Sequence, residues 1–416
     1  MVGSVALAAL ALASACSNAS SSTPTTTVPA ANTTTRPDDG VLRIGVIAPR
    51  GGSVGALGTS TRDGVELAVR DINQHGGVNG HGVTTIVRDE GDNPATAGLA
   101  VQDLVQLGVD VIVGPTSSLN MLGTLKTAVA DGVLTCSPTA SALALDSFPD
   151  NGLLVRTIPS DSLEAQAMAH LVEQSGSSRA AIVSLDDPYG RPFAHAVQRG
   201  LQADGTTVTA ALTFDGSEPS IKKVVTTLST QHPDIIVVVA DNATGPAIIS
   251  AIDAGIPNNK PMYVVNDAQR RPATGSPSFA GALAARVEGV SPVAYSHDTD
   301  FVRLLHNLDP TATGLYAMNA YDCVNIIALA AVATGSSSAR LLVPAIPSVT
   351  SNGTTCVRFS ECAVELAADH NIDYNGPGGS LSIDSSGAVS SAVFDIFGFN
   401  EAGRDLNTGT ITIGAG

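Results

Sequence analysis

A regular alternation of apolar strands and amphipathic helices, which begins at Val41, restricts the possible folds more than any other feature of this chain. In the helices apolar residues recur at i, i+3 and i+4, whereas the strands are continuous apolar runs, as expected for parallel strands that are covered on both faces. Such alternation predicts a doubly wound α/β sheet. The first unit has strands in VLRIGVIAP, TTIVRDE, VDVIVGP and VLTCSP.

The same pattern starts again after the connection LVRTIP, at residues 154–159, with strands in RAAIVSLDD, TVTAALTFD, PDIIVVVAD and KPMYVVND. We therefore expect two doubly wound parallel-sheet lobes with a ligand cleft between them. Within TCSPTAS, Pro138 ends a strand, and the hydroxyls of Thr139 and Ser141 are placed to open a helical stretch as an N-cap would.

Composition limits the class of partner. The 416 residues are 44% hydrophobic and 14% charged, which is globular and sufficient for two domains with sizeable cores. The net charge of −17 makes nucleic acid a poor partner, because both surfaces would be negative. We find no motif for a cofactor.

The N-terminus reads as a targeting segment rather than as part of the fold. An apolar run, Val5–Leu12, leads into Ala13-Ser14-Ala15-Cys16, which resembles a lipobox. The resemblance implies a lipoprotein signal peptide over residues 1–16 and lipidation of Cys16, and the Ser/Thr/Pro-rich residues 17–40 read as a tether. The alternatives are an ordinary signal peptide or a short membrane anchor.

Export permits disulfides, so the four remaining cysteines matter. Cys356 and Cys362 lie in the polar loop NGTTCVRFSECA and are the expected pair. Cys136 ends a buried strand and Cys323 lies in an apolar helix, and we expect both to remain reduced as small hydrophobes. Because no CxxC or HxxxH spacing accompanies the cysteines, the sequence predicts no metal site.

Polar residues follow the predicted strands, at the ends where open parallel sheets bind their ligands. The first unit offers hydroxyls and backbone donors, and the second offers carboxylates and a tyrosine, a division that suits a zwitterion bridging the lobes. These residues are Arg50, Ser117, Ser118, Thr139 and Ser141 in the first unit, and Tyr189, Asp241, Asn266 and Asp267 in the second.

The folded part of the chain opens with the stretch RIGVIAPRGGSVGALGTSTRDGVELAVRDINQHGGVNG. This stretch resembles the opening of the periplasmic leucine/isoleucine/valine-binding protein family. The resemblance continues, in order, through VIVGPTSS, TCSPTAS, LDDPYGR and YNGPGGSLSIDSSG. It implies a type I periplasmic-binding fold with three crossovers. Lobe 1 would comprise residues 41–158 and 290–375, and lobe 2 residues 159–289 and 376–416. It also implies a monomeric lipoprotein at the outer face of the cytoplasmic membrane, which is not an enzyme and hands a branched-chain or other small amino acid to an ABC permease.

Carried over by position, the resemblance assigns the ligand's α-carboxylate and ammonium to Ser118, Thr139 and Ser141, the tyrosine of the family's Y-G turn to Tyr189, and the acidic partner of the ammonium to Asn266–Asp267. Leu57 and Asp241 stand where branched-chain binders carry tyrosines, which leaves Asp241 as a second acidic candidate. Asp92 replaces a cysteine found in some relatives, and the atypical Arg50 is a candidate contact for an anionic group.

Other functions compete with transport. Gly51–Gly55 matches G-x-S-x-G, but helical periodicity starts only around Thr59–Arg62, so Ser53 does not fit a hydrolase elbow. A lipoprotein that reports its ligand to a membrane sensor fits the sequence as well as an importer does. The bound solute could also be an amide, a urea-like compound or an aromatic acid.

Replacing Cys16 tests the lipid anchor. We expect Cys16→Ser protein to remain unlipidated and to leave the membrane fraction or stall in processing, whereas the wild type fractionates with membranes and carries acyl mass. Wild-type protein found in the soluble exported fraction without acyl mass would contradict the lipoprotein interpretation.

Overall fold

The computed structural model describes Met1, Gly3, residues 38–256, 260–270, Phe279 and 281–414. The predicted signal peptide's Cys16 and most of the predicted tether therefore lie outside the described residues. All the elements below belong to one compact unit, Thr33–Gly416.

Five parallel strands form the first sheet, in the order β2-β1-β3-β4-β5. Local capping explains where its helices begin: the Asn93 side chain accepts the N–H groups of Ala95 and Thr96, both at 3.1 Å, and Pro94 occupies the first helical position. In chain order the elements are β1 (Arg43–Ala48), α1 (Gly55–Gln74), β2 (Thr84–Asp89), α2 (Pro94–Gln106), β3 (Val111–Val113), α3 (Ser118–Ala130), β4 (Leu134–Ser137) and β5 (Leu154–Arg156).

Two local predictions for this sheet are wrong. The first helix begins earlier than predicted, at Gly55, directly after a 3₁₀ turn over Gly52–Val54. Thr139–Ser141 open no long helix, since only the 3₁₀ turn Leu143–Leu145 precedes β5. The Ser137 hydroxyl accepts the N–H of Ala140 at 2.7 Å and so closes the TCSPTAS turn itself.

Seven strands form the second sheet, in the order β14-β13-β10-β9-β8-β6-β7, with β13 and β14 antiparallel to their neighbours. Continuous buried runs such as IIVVV in β8 place this sheet between two helical layers. Its elements are α4 (Asp161–Gln174), β6 (Arg179–Leu185), α5 (Gly190–Ala203), β7 (Thr207–Phe214), α6 (Glu218–Gln231), β8 (Ile235–Val239), α7 (Gly245–Gly255), β9 (Met262–Val265), α8 (Gly281–Ala284) and β10 (Val287–Pro292), with β13 (Ser391–Phe399) and β14 (Asp405–Gly414) at the end of the chain.

The remaining elements lie between β10 and β13 and pack largely against α1 and against each other. They are α9 (Thr299–Leu308), α10 (Ala317–Thr334), α11 (Ala339–Val349), β11 (Thr354–Cys356), α12 (Phe359–Ala367) and β12 (Ile372–Tyr374). The chain thus passes between the sheets after β5, after β10 and before β13. Gly387 still contacts the first sheet, where its carbonyl accepts the Arg156 N–H at 2.8 Å, so the third crossing lies beyond the predicted boundary at 376.

Helix α10 is long and apolar enough to span a membrane, but 83% of it is buried, and it packs on α1, β3 and β4 as a core helix. This packing corrects the prediction of two free thiols. Cys323 of α10 and Cys136 of β4 form a disulfide with their Cα atoms 5.8 Å apart. The predicted Cys356–Cys362 disulfide is confirmed.

The two disulfides should differ in their effect on stability. They span sequence separations of 187 and 6 residues, for which the chain-entropy model gives about 5 and about 2 kcal/mol of stabilisation. We expect Cys136→Ala/Cys323→Ala to lower the free energy of unfolding more than Cys356→Ala/Cys362→Ala does, as measured by denaturant titration. Labelling of Cys136 and Cys323 by a maleimide in denatured, unreduced protein would show that the longer bond does not form.

Candidate ligand-binding site

The carboxyl ends of β3 and β4 present hydroxyl groups at the edge of the first sheet. Thr139 donates its hydroxyl to the Thr116 carbonyl at 2.8 Å, and the Ser118 hydroxyl accepts the N–H of Ala142 at 3.2 Å. Ser118, Thr139 and Ser141 are all partly exposed. The three hydroxyls that the sequence predicted are therefore held in place by the two strand-end loops and remain partly open to a ligand.

Ser117 makes hydrogen bonds within the protein through its N–H and its hydroxyl. The buried carboxylate of Glu90 accepts the N–H groups of Thr116 and Ser117 at 2.8 and 2.9 Å, together with the Thr116 hydroxyl and the Asn120 amide. The Ser117 hydroxyl accepts the N–H of Asn120 at 3.4 Å, as an N-cap does. Glu90 thus occupies the donors that could otherwise receive an anionic ligand group.

The first turn of α4 contributes two buried carboxylates that the sequence analysis missed. Asp161 and Glu164 are only 2% and 1% exposed. The Asp161 N–H donates to the Ser141 carbonyl at 2.9 Å, so α4 starts against the hydroxyl-bearing loop of the first sheet. Acidic residues in a first helical turn are ordinarily explained by the helix dipole, which is why their sequence positions alone gave no signal for a site.

The loop after β9 brings a third carboxylate to the same place. The Asp267 N–H donates to Glu164 Oε1 at 2.9 Å, and the preceding Asn266 donates its amide to the Tyr189 hydroxyl at 3.3 Å. Asn266 is fully buried and also accepts the N–H of Ala240 at 3.1 Å, which fixes its side chain. Ser141, Tyr189, Asn266 and Asp267 are thus gathered around Asp161 and Glu164, and we call the three acidic residues Asp161, Glu164 and Asp267 the acidic cluster.

The acidic cluster titrates far from the ordinary range. Burial, followed by the charge of Asp267, raises the pKa of Asp161 to about 7, while a hydrogen bond from Ser141 opposes the shift. Burial raises the pKa of Asp267 to about 6 and, with the charges of Asp267 and Asp161, raises the pKa of Glu164 well above its usual value. Like charges in a desolvated site disfavour their joint ionisation, so the unliganded cluster retains protons that ordinary carboxyl groups would have lost at the same pH.

Tyr316 also borders the acidic cluster and was missed from the sequence. Burial, and then the charges of Asp267 and Glu164, raise its pKa, which places its hydroxyl within their field. Tyr316 caps α10 in the left-handed region, with φ 52° and ψ 18°, and its N–H donates to the Ala294 carbonyl at 2.8 Å. A bulky residue rarely adopts this conformation, and such residues concentrate at ligand clamps.

Asp241 and Arg50 are exposed and bind neighbouring backbone groups. The exposed Asp241 carboxylate accepts the N–H groups of Ala243 and Thr244 at 2.8 and 2.7 Å and thereby closes its own turn. Arg50 is exposed, and its N–H donates to Asp89 at 3.1 Å. The structure therefore groups the predicted Asp267 with the acidic cluster and keeps Asp241 on the surface.

One group of side chains within the described residues has the composition of a metal site. His170, Glu173 and Asp204 bring their ligand atoms within 4.8 Å of one another at the ends of α4 and α5. In the structure His170 Nδ1 contacts Glu173 Oε2 at 3.2 Å and Asp204 Oδ2 at 3.6 Å, and the imidazole is well exposed. These contacts form a surface ion-pair network whenever the imidazole is protonated.

Comparisons with known proteins identify the family of this chain. The family model described as periplasmic binding protein matches residues 41–371. The chemotactic signal transduction system substrate-binding protein BasB of Halobacterium salinarum is 27% identical over 346 residues, which are 80% of each chain. The Leu/Ile/Val-binding protein BraC3 of Rhizobium johnstonii is 28% identical over 196 residues, 47% of this chain and 53% of that one. The chain thus matches about half the length of this Leu/Ile/Val-binding relative.

Solved structures share the fold. LivJ from Streptococcus pneumoniae, in complex with isoleucine, has a TM-score of 0.66 and 18% identity and covers 90% of this chain and all of its own. A solute-binding protein of an ABC transporter from R. palustris, in complex with 4-hydroxybenzoate, has a TM-score of 0.67 and 18% identity and covers 90% of this chain and 97% of its own. At these identities the likeness shows the two-lobed fold and not the ligand.

The acidic cluster predicts an unusual dependence of stability on pH. Carboxyl groups titrate near pH 4 in the unfolded chain, whereas burial raises the folded-state pKa of Asp267 to about 6 and of Asp161 to about 7. The folded state therefore binds more protons between about pH 4 and 7, and the free energy of unfolding of the unliganded protein should fall as the pH rises through this window.

Denaturant titrations at pH 5, 6 and 7.5 measure this decline. Asp161→Asn should flatten it, whereas Glu401→Gln, which removes a charge from an exposed turn, should leave it nearly unchanged. An equal slope in the wild type and Asp161→Asn would show that the cluster does not carry the effect.

Proposed function

We propose that this chain, which belongs to the periplasmic binding protein family, captures a small amino acid in its interlobe cleft outside the cytoplasmic membrane and hands it to an ABC permease. The fold supports a cleft of this kind, because ligands of open parallel sheets bind beyond the carboxyl ends of the strands. The relatives named as Leu/Ile/Val-binding proteins support an amino acid as the class of solute.

The observation that carries the proposal is the burial of Asp161 and Glu164 beside Asp267, opposite partly exposed hydroxyls. An ammonium that enters this site compensates negative charge that the protein has already removed from water. The Ser118 hydroxyl, which accepts the N–H of Ala142 at the edge of the first sheet, can donate its own proton to the ligand's carboxylate. The two walls of the cleft thus match the two ends of an amino acid.

The same electrostatics argue against a plain aromatic acid. A benzoate-like anion brings no positive charge, so its entry would leave the acidic cluster uncompensated and add a further negative charge nearby. Amides and urea-like solutes avoid that repulsion but still supply no cation. An amino acid has a group that each wall of the cleft can bind, the ammonium for the acidic cluster and the carboxylate for the hydroxyls. Each of these alternatives has a matching group for one wall only.

Ligand sensing is the second candidate function. BasB, which matches over most of both chains, is a substrate-binding protein of a chemotactic signal transduction system. A sensing lipoprotein would use the same cleft and present its closed form to a membrane receptor instead of a permease. Deletion of the gene separates the two functions: loss of uptake of the radiolabelled solute supports transport, whereas intact uptake with a lost response supports sensing.

The location we propose is the outer face of the cytoplasmic membrane, with a lipid on Cys16. The family name supports a site outside the cytoplasm. Two disulfides in one chain also fit an oxidising compartment. The hydrolase alternative at Ser53 gains no support from the comparisons, because the family consists of binding proteins rather than enzymes.

Removing the charge of Asp267 should weaken the binding of amino acids selectively. Hydrogen bonds to charged groups contribute roughly 1.5–3 kcal/mol, so Asp267→Asn should lower the affinity for L-leucine by about one to two orders of magnitude. Asp241→Asn should change it little, because the Asp241 carboxylate closes an exposed turn. Isothermal titration of both variants and the wild type measures the difference.

Titrations with two ligands that lack an ammonium group can contradict the proposal. 4-Methylpentanoate, which is leucine without its amino group, should bind far more weakly than leucine to the wild type. If the wild type binds 4-hydroxybenzoate or 4-methylpentanoate but no amino acid that retains the ammonium, the proposed function is wrong.

A further inference from the structure

A cavity of about 520 Å³ lies where the chain passes between the two sheets, and all three crossings contribute to its wall. We call it the crossover cavity. The residues through which the crossings line it are Thr157 and Pro159 after β5, Pro292 and Val293 at the end of β10, and Val389 before β13. Small-molecule sites ordinarily measure about 300–1,000 Å³. The crossover cavity is therefore large enough for a small molecule, and its shape depends on how the three crossings are arranged.

The crossover cavity is distinct from the candidate ligand-binding site. Among the described residues that line it there is no member of the acidic cluster and none of the three partly exposed hydroxyl residues of the first sheet. The start of α10 borders both sites, since Tyr316 lies in the electrostatic field of the acidic cluster, whereas Met318 and Asn319 line the cavity. A molecule in the cavity thus contacts the crossings without occupying the ammonium site.

Asn319 gives the wall of the crossover cavity an unpaired acceptor. The residue is only 5% exposed, and its Nδ2 donates to the Thr157 carbonyl at 2.7 Å. Because a carbonyl oxygen only accepts, this bond fixes which way the amide faces and leaves Oδ1 as the remaining polar atom. Asn319 Oδ1 is buried and has no hydrogen-bond partner within the described part of the chain. Buried polar atoms are nearly always paired, so the wall lacks a donor that a bound molecule can supply.

Much of the remaining wall is apolar. Met318, Leu381 and Ala392 contribute apolar side chains. Asp298 also lines the cavity, but its carboxylate accepts two N–H groups at the start of α9, at 2.8 and 3.1 Å. The imidazole of His297 is exposed. The wall therefore matches a neutral molecule that has an apolar body and one hydrogen-bond donor.

We propose that the crossover cavity is an effector site, which binds a small neutral molecule whose hydroxyl or amide group donates to Asn319 Oδ1. Closure of two lobes changes the backbone at the segments that join them. A molecule held against all three crossings therefore fits one arrangement of the lobes better than another, and it shifts the equilibrium by that difference in affinity. This inference goes beyond the proposed function, because the bound molecule restricts the movement of the lobes whichever solute the cleft captures.

Phenol and fluorobenzene form a matched pair of probes, since they have nearly the same shape and only phenol donates a hydrogen bond. Both should fit, because a cavity of roughly 150 Å³ is sufficient for benzene. On the full-length wild-type protein at pH 7, we expect a titration followed by ligand NMR to show phenol binding about fivefold tighter than fluorobenzene. In Asn319→Leu the advantage of phenol should fall toward one while fluorobenzene still binds. Equal affinity of the wild type for the two probes overturns the proposed donor contact.

Thr410→Trp tests where phenol binds without changing the core. Thr410 is an exposed residue of β14 on the wall of the crossover cavity, so an indole at this position should obstruct the cavity and lower the affinity for phenol about tenfold or more. Thr408→Trp makes the same change two residues away, at an exposed position outside the cavity wall, and should leave the affinity nearly unchanged. If phenol binds the wild type and both variants equally, it binds elsewhere and the proposal is wrong.

The distance between the lobes provides a second readout. Arg50 follows β1 of the first sheet, Asp241 follows β8 of the second, and both residues are exposed. Spin labels at Arg50→Cys and Asp241→Cys, in Cys16→Ser protein, report the distance between the lobes by double electron–electron resonance. We expect saturating phenol to narrow the distribution of this distance, and to have little effect when Thr410→Trp is also present.

None of these measurements requires an amino acid, so the proposed function can fail while this inference stands. A distribution of distances that phenol narrows only when the crossover cavity is open supports the effector site. A distribution that stays unchanged when phenol is bound shows that the cavity does not act on the lobes and overturns it.

Discussion

Burial of like charge is the constraint on which the rest of this structure depends. Asp161 and Glu164 lie almost out of contact with water, and desolvation disfavours their ionised forms. An uncompensated arrangement of this kind costs stability, so the surrounding fold has to be rigid enough to maintain it. The two large sheets, each with continuous buried strands, supply that rigidity through apolar burial.

The close packing of α1 on α10 holds one side of the site. At Gly64 an added Cβ would lie 2.1 Å from the Ala317 carbonyl oxygen, so only glycine permits the two helices to approach this closely. Ala317 directly follows Tyr316, whose left-handed backbone turns its ring into the field of the acidic cluster. The Cys136–Cys323 disulfide joins the same helix to β4. A glycine, a strained tyrosine and a disulfide thus position one element.

The fold can be predicted from the sequence because the signals that identify its elements are local. Apolar runs and helical periodicity identify strands and helices one at a time, and parallel strands bring their carboxyl ends to one edge. The proximity of Tyr189 to Asn266 and Asp267 follows from that topology, whereas Ser141 comes from the other sheet. Asp241 also follows a strand, but its carboxylate closes its own turn, a local hydrogen-bonding choice that strand position does not reveal.

The longer disulfide, the acidic cluster and the role of Glu90 could not be predicted from the sequence. Each of them depends on contacts between distant residues or has an ordinary local explanation. The partners Cys136 and Cys323 are separated by 187 residues, and each by itself looks like a small apolar residue. Asp161 and Glu164 look like acids that stabilise a helix N-terminus, and only their burial against Ser141 and Asp267 distinguishes them. Glu90 illustrates the same difficulty. Its carboxylate accepts the N–H groups of Thr116 and Ser117, which are distant in the sequence, so only the folded structure reveals its role.

In the proposed function, the position of the acidic cluster would couple the charge of the ligand to closure of the lobes. Asp161 begins α4, just after the chain leaves the first sheet, and its N–H donates to Ser141 on that sheet. A ligand shifts the equilibrium between open and closed forms only by the difference in its affinity for the two. In the function that we propose, a cation that meets Asp161 and Asp267 together relieves the repulsion between them, which is strongest once water has left the cleft. On that proposal, the charge that destabilises the empty cleft favours the closed, liganded form.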